Sequence, residues 1–85
     1  MTRKGLEHTL HDYVQLAVKD YLQQMGDQTP DNLYQLVISE TETALLKTVL
    51  QYADYNQRKA AQFLGISRGT LRKKLKEYGI HSSDE

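Results

Sequence analysis

The fold is decided by the stretch NQRKAAQFLGISRGTLRKKLKEYGI, residues 56–80. It predicts two short helices joined by a tight turn. Asn56 is a favourable N-cap for the first helix, and Gly65 supplies the left-handed residue that ends it. Ser67 is a favourable N-cap for the second helix, which Gly79 ends in the same way.

The apolar residues of this stretch predict which side of each helix faces a core. In the second helix Leu71, Leu75 and Tyr78 follow one another at four and three residues, so they line one side. The first helix and the turn contribute a further set of inward-facing residues: Ala60, Ala61, Phe63, Leu64 and Ile66. Polar and cationic side chains are therefore left on the outer surface of the second helix.

Charge is divided unevenly along a chain whose formal net charge is zero. Residues 54–80 carry seven Lys or Arg against two acids, a net charge of +5, whereas residues 1–53 carry −3 and the tail −2. Phosphate attracts such a cationic end. Two short helices around a glycine turn, the second with cations outside, are typical of a helix-turn-helix motif whose second helix enters the major groove of DNA.

Length and composition bound the remaining possibilities. A chain of 85 residues is one domain with a small core, which makes oligomerisation a reasonable expectation. The absence of Cys excludes a disulfide scaffold, a Cys-based zinc finger and a thiol nucleophile. We find no apolar run of roughly 20 residues and no secretory signal, so we expect a cytoplasmic location and no membrane contact. One Pro and no alternating β-branched runs predict an all-α fold.

Two more helices are predicted upstream. Apolar residues at three-to-four-residue spacing indicate a first helix over residues 10–25, preceded by a short flexible N-terminus, residues 1–9. A second helix over residues 31–52 begins after Thr29 as N-cap and Pro30 as first helical residue. Residues 10–53 thus form a segment of dimerisation helices, residues 54–80 the helix-turn-helix, and residues 81–85 a tail.

The helix predicted over residues 31–52 is apolar on two sides. Leu33, Leu36 and Val37 lie on one side, whereas Leu46 and Leu50 lie roughly opposite at about 100° per residue. A single neighbouring helix cannot cover both sides. The sequence therefore predicts four helices per chain in an intertwined homodimer core with a C-terminal helix-turn-helix.

Two segments, LHDYVQLAVKDYL (residues 10–22) and LYQLVISETETALLKTVLQYADYNQRKAAQFLGISRGTLRKKLKEYGI (residues 33–80), resemble the Fis family, the factor for inversion stimulation. The same core ends bacterial activators of the NtrC type. The resemblance implies a nucleoid-associated transcriptional regulator that binds and bends double-stranded DNA as a homodimer. RNA polymerase or a recombinase would be further partners.

Carried over residue by residue, the resemblance also implies the DNA contacts. Arg68 is the candidate for a guanine contact, because its planar fork can donate to both O6 and N7, whereas Lys acts as a point charge on phosphate. The implied DNA-binding residues are Asn56, Gln57, Arg58, Ser67, Arg68, Thr70, Arg72, Lys73, Lys74 and Lys76.

Several positions depart from the family pattern. Fewer than ten residues precede the first helix, so we expect no β-hairpin arms and no stimulation of DNA inversion. Ala44 stands where members of the family often have a Pro that kinks the helix over residues 31–52. Without this Pro we expect a straighter helix. Ser67 replaces a common Asn, which shifts its role toward capping, and Tyr55 stands at a turn position that is usually Gly.

No pattern of residues indicates an enzyme. Glu40 and Glu42 point to different sides of a helix and form no acid/base pair, and we expect no cofactor or metal. Two other uses of the cationic end stay open. It could serve a structural helical interaction module that binds an acidic protein, or an RNA-binding helical dimer.

Overall fold

A computed structural model describes residues 2–82, with side chains from residue 9 onward. Its helices are α1 (Thr2–Met25), α2 (Leu33–Tyr52), α3 (Gln57–Leu64) and α4 (Arg68–Tyr78). No strand occurs between residues 2 and 82. The all-α prediction with four helices is therefore confirmed, and α3 and α4 fall within the predicted helix-turn-helix.

The starts of the first two helices differ from the prediction. Helix α1 begins at Thr2 instead of residue 10, because the first nine residues contain no Pro and several good helix formers. Helix α2 begins at Leu33 instead of residue 31. The Asn32 carbonyl accepts from the Leu36 N–H at 3.0 Å, so Asn32 caps this helix and Thr29 does not.

The chain divides into two compact units, and the first ends at Val37. It contains α1, which Gly26 ends in a left-handed conformation (φ 64°), and the first turns of α2. No side chain between residues 9 and 37 is buried. Instead this unit exposes many large apolar side chains: Leu10, Tyr13, Val14, Leu16, Tyr21, Leu22, Tyr34 and Leu36.

The second unit, from Ile38 onward, contains the hydrophobic core. Its buried members come from the C-terminal part of α2, the turn that follows it and both helices of the motif: Leu46, Leu50, Ala53, Ala60, Ala61, Leu71 and Leu75. Leu64, Ile66 and Tyr78 pack around them, as the sequence predicted. Phe63 does not, because it lies beside this face and is 58% exposed. This core fixes α4 against α3 and α2.

None of the helices in the described part of the chain is long and apolar enough to cross a membrane.

Candidate nucleic-acid interface

The two helices of the motif are held at both ends by local hydrogen bonds. Asn56 Oδ1 accepts from the Lys59 N–H at 3.0 Å, and Ser67 Oγ accepts from the Thr70 N–H at 3.1 Å. Gly65 (φ 75°) ends α3 and Gly79 (φ 65°) ends α4, both in the left-handed conformation. The four predicted caps are thus confirmed, and they set the length of each helix.

The turn before α3 has an uncommon backbone. Asp54 (φ 55°) and Tyr55 (φ 63°) are consecutive left-handed residues, a conformation that costs side-chain-bearing residues roughly 1–2 kcal/mol each. The turn is closed by the Tyr55 N–H, which donates to the Leu50 carbonyl at 2.7 Å. This conformation explains why glycine suits the position of Tyr55. It also brings Asn56 directly to the start of α3.

One side of α4 forms a cationic surface. Leu71 and Leu75 are buried at 0% and 4% exposure, and this fixes the rotation of the helix about its axis. Lys73 and Lys76 are exposed on the side turned away from the core, Arg72 is exposed beside them, and Arg68 is exposed at the N-terminal end of the helix. Part of this surface is an open groove, which we call the cationic groove, lined by Gln57, Gly69, Arg72, Lys73, Leu75, Lys76, Ile80 and Ser82.

Lys74 lies on a different flank of α4 from the other cations. Its Nζ is 2.8 Å from Glu42 Oε2, and the Tyr78 hydroxyl donates to Glu42 Oε1. The hydrogen bonds from Lys74 and then Tyr78 hold the pKa of the Glu42 carboxyl below its usual value. The same carboxylate raises the pKa of Lys74 and raises that of Tyr78 to about 12. Lys74 is therefore engaged within the protein.

Glu42 was not among the residues that the sequence singled out for this surface. The available signal was the spacing of Lys74 and Tyr78, which are four residues apart and so share one side of α4. Because Tyr78 was expected to face the core, Lys74 could have been placed on the inner flank with it. The identity of the acid on α2 depends on how the two helices pack, which the sequence pattern does not give.

Gln57 is placed differently from the sequence expectation. Its side chain is only 3% exposed, and Nε2 donates to Ser82 Oγ at 3.1 Å; Ser82 is also buried. At the start of α3 this side chain is bonded to the C-terminal segment and is not exposed as the sequence predicted. The structure therefore gives Gln57 a role in fixing the segment after α4, and its DNA contact stays a prediction.

The remaining predicted site residues lie at the surface. Asn56 and Arg58 are exposed at the start of α3, although the Asn56 side chain is occupied as a cap. Ser67 and Thr70 are also exposed, and the Ser67 hydroxyl donates to Thr70 Oγ1 at 2.9 Å. The cap agrees with the role expected for Ser67. Among the described residues, no three His, Asp or Glu side chains converge to hold a metal ion.

Comparison with known proteins agrees with this geometry. Residues 37–78 match the model of a family described as bacterial regulatory protein, Fis family. The chain is 51% identical over 72 residues to the DNA-binding protein Fis of Photobacterium profundum, covering 85% of this chain and 74% of the relative. It is 54% identical over 71 residues to that of Mannheimia haemolytica, covering 84% and 72%. With the helix-turn-helix and its cationic surface in place, the chain belongs to the Fis family.

Proposed function

We propose that this protein is a sequence-preferring double-stranded DNA-binding and DNA-bending protein of the Fis type, acting as a nucleoid-associated transcriptional regulator in the cytoplasm. The observation that carries the proposal is the exposed cationic side of α4. The buried residues Leu71 and Leu75 turn Lys73 and Lys76 outward, and Arg68 and Arg72 are exposed on the same helix. Relatives that are half identical to the chain are named DNA-binding proteins, which supports the same use of this surface.

The residues of this surface would divide the work of binding. Arg68 is the first residue of α4, where a recognition helix meets base edges, and its fork suits guanine. Lys73 and Lys76 would neutralise phosphates, which adds affinity without sequence preference. Lys74 would contribute less than the other cations, because Glu42 already neutralises it at 2.8 Å.

The working unit would be a homodimer. Support comes from residues 9–37, which bury no side chain yet expose large apolar ones such as Val14, Tyr21 and Leu22. A second copy of the chain can cover these side chains symmetrically. A two-fold dimer would present two α4 helices to a pseudo-palindromic duplex, and bending would let both reach their major grooves.

For a protein partner such as RNA polymerase or a recombinase, the proposed surface is the turn between α2 and α3. Asp54, Tyr55 and Arg58 are exposed there, and the left-handed backbone of the first two holds the turn in a defined shape. Asp54 and Tyr55 lie outside α4, so these two residues could be contacted while DNA is bound, whereas Arg58 is also an expected DNA contact.

The decisive experiment compares two single variants on duplexes selected from random sequence. We expect Arg68→Ala to reduce discrimination between selected and random DNA by about 1–3 kcal/mol. Lys73→Ala should weaken binding to all duplexes alike and reduce the slope of log K against log salt by about 1. Both side chains are exposed, so neither change should disturb the core.

The same selected sites test the rest of the proposal. They should show dyad symmetry, circular permutation should show a bend, and binding to double-stranded RNA or single strands should be much weaker. Selected sites without dyad symmetry would contradict the assigned roles. So would an equal loss of affinity for every DNA in the two variants. Preference for RNA would favour the RNA-binding alternative instead.

A further inference from the structure

The segment that follows α4 enters the cationic groove at Ser82. Ser82 is 3% exposed and accepts a hydrogen bond from Gln57 Nε2 at 3.1 Å. It lines the same groove as Arg72, Lys73 and Lys76. The chain is therefore anchored among the cations of the proposed DNA-binding surface.

The sequence that continues from this anchor is acidic. Asp84 and Glu85 follow Ser82 by two and three residues. Since an extended chain spans at most roughly 3.3–3.6 Å per residue, their Cα atoms cannot be more than about 7 and 11 Å from that of Ser82. This limit follows from covalent geometry alone and holds for any conformation of residues 83–85.

These limits are comparable with the electrostatic screening length. The Debye length at physiological salt is about 8 Å, so attraction between the two carboxylates and the cations that share the groove with Ser82 is only partly screened. The three cations of the groove are exposed, and Lys74, the one cation of α4 with an ion pair among the described residues, lies on another flank. Charge complementarity therefore favours contact between the acidic segment and the groove.

We propose that the cationic groove is the binding surface for the acidic segment, residues 83–85, which competes there with DNA phosphate. Residues Asp84 and Glu85 occupy the field of Arg72, Lys73 and Lys76 in the free protein, and DNA must displace them. Because the displaced charges belong to the protein, fewer salt ions are released when DNA binds. The segment thereby lowers affinity for all DNA while leaving base contacts by Arg68 unchanged. This competition rests on the proposed function, whereas the contact itself does not.

The contact is tested first without DNA, by following the Asp84 and Glu85 side-chain carboxyl carbons by NMR during an acid titration. At low salt we expect both measured pKa values to lie about half a unit or more below those of the Lys73→Gln/Lys76→Gln double variant, because nearby cations favour the carboxylate. The difference should vanish near 1 M salt, where the Debye length is about 3 Å. Equal titration in the two proteins at low salt would overturn the proposal.

The competition is tested by binding to random duplex DNA. The Asp84→Asn/Glu85→Gln variant should bind roughly threefold to tenfold more tightly at low salt, and its slope of log K against log salt should steepen by up to about 1.8. The matched control is Asp27→Asn/Asp31→Asn, which changes the net charge equally in the connector between α1 and α2 and should have a smaller effect.

The outcomes distinguish the contact between the acidic segment and the groove from the competition of that segment with DNA. Equal effects of the two double variants would overturn the competition, since net charge alone would then explain the change. Lowered pKa values with unchanged DNA affinity would overturn it as well, because the segment would contact the groove without obstructing DNA. If no variant bound DNA, the proposed function would fail, and the carboxyl titration would still decide the contact.

Discussion

Residues 9–37 and residues 38–82 are both largely helical, but only the second region buries its apolar side chains. In the second region Leu50 and Leu71 are almost completely buried, at 1% and 0% exposure. In the first, Leu10 is 54% exposed and Tyr13 65%, and nothing is buried. A helix of this composition gains little stability from its own hydrogen bonds, since helices in water depend on packing.

The two regions remove apolar surface from water in different ways. The helix-turn-helix region completes its core within one chain. In the first region α1 presents a stripe of apolar residues without a buried member, formed by Leu10, Val14, Val18, Tyr21, Leu22 and Met25. An obligate interface has this appearance when one partner is viewed alone. The proposed dimer follows from this contrast.

The largest expected effect is on the completed core. Leu71→Ala should reduce the free energy of unfolding by about 2–5 kcal/mol, because it leaves a cavity among side chains from α2, α3 and α4. Urea denaturation at a fixed protein concentration measures this change. The control, Leu16→Ala, removes a side chain that is 63% exposed and off the stripe of α1, and it should cost about 0.5 kcal/mol or less. Similar costs for both would remove the distinction between the two regions.

The second prediction concerns the unburied stripe. Val14→Glu places a charge at the centre of the α1 stripe, and burying it between two copies should weaken the dimer about 100-fold or more, which equals roughly 2.7 kcal/mol. Sedimentation equilibrium over a range of concentrations measures the dissociation constant. Gln23→Glu adds the same charge on the opposite side of α1 and should leave it nearly unchanged. A native chain that sediments as a monomer would contradict the dimer proposal.

The features that the sequence predicted correctly depend on local chemistry. The caps at Asn56, Ser67, Gly65 and Gly79 follow from hydrogen bonds and backbone angles within a few residues, so residue type was sufficient to place them. The inward side of α4 was likewise set by the spacing of Leu71 and its neighbours. These features define most of the helix-turn-helix and the rotation of its cationic surface.

The features that could not be predicted from the sequence depend on distant partners or on weak local preferences. Gln57 is paired with Ser82, 25 residues away, and Lys74 with Glu42 on another helix. No periodicity within one helix specifies such pairs. The start of α1 was missed for another reason, because helix propensity alone carries the helix eight residues beyond the apolar stripe. The DNA contacts themselves stay predictions.

The smallest effect is expected where α2 meets α4. Glu42→Gln weakens the pairing with Lys74 and Tyr78, and since these side chains are partly exposed to solvent, we expect the melting temperature at neutral pH to fall by only a few degrees. Glu40→Gln removes the same charge from an exposed position two residues away and should change it less. Equal melting temperatures for all three proteins would show that the contact does not stabilise α4.

The pH dependence of this effect has a defined sign. Because the pKa of Glu42 is lowered in the folded protein, its contribution is complete above the unfolded value near 4.5 and is lost as the pH falls through the folded value. Tyr78 behaves oppositely: its pKa is raised to about 12, so its contribution is complete below about 10 and is lost as the pH rises toward 12. Native protein and Glu42→Gln should therefore differ most in melting temperature between about pH 5 and 9 and converge in acid. A difference that grew as the pH fell below 4 would contradict the assigned pairing.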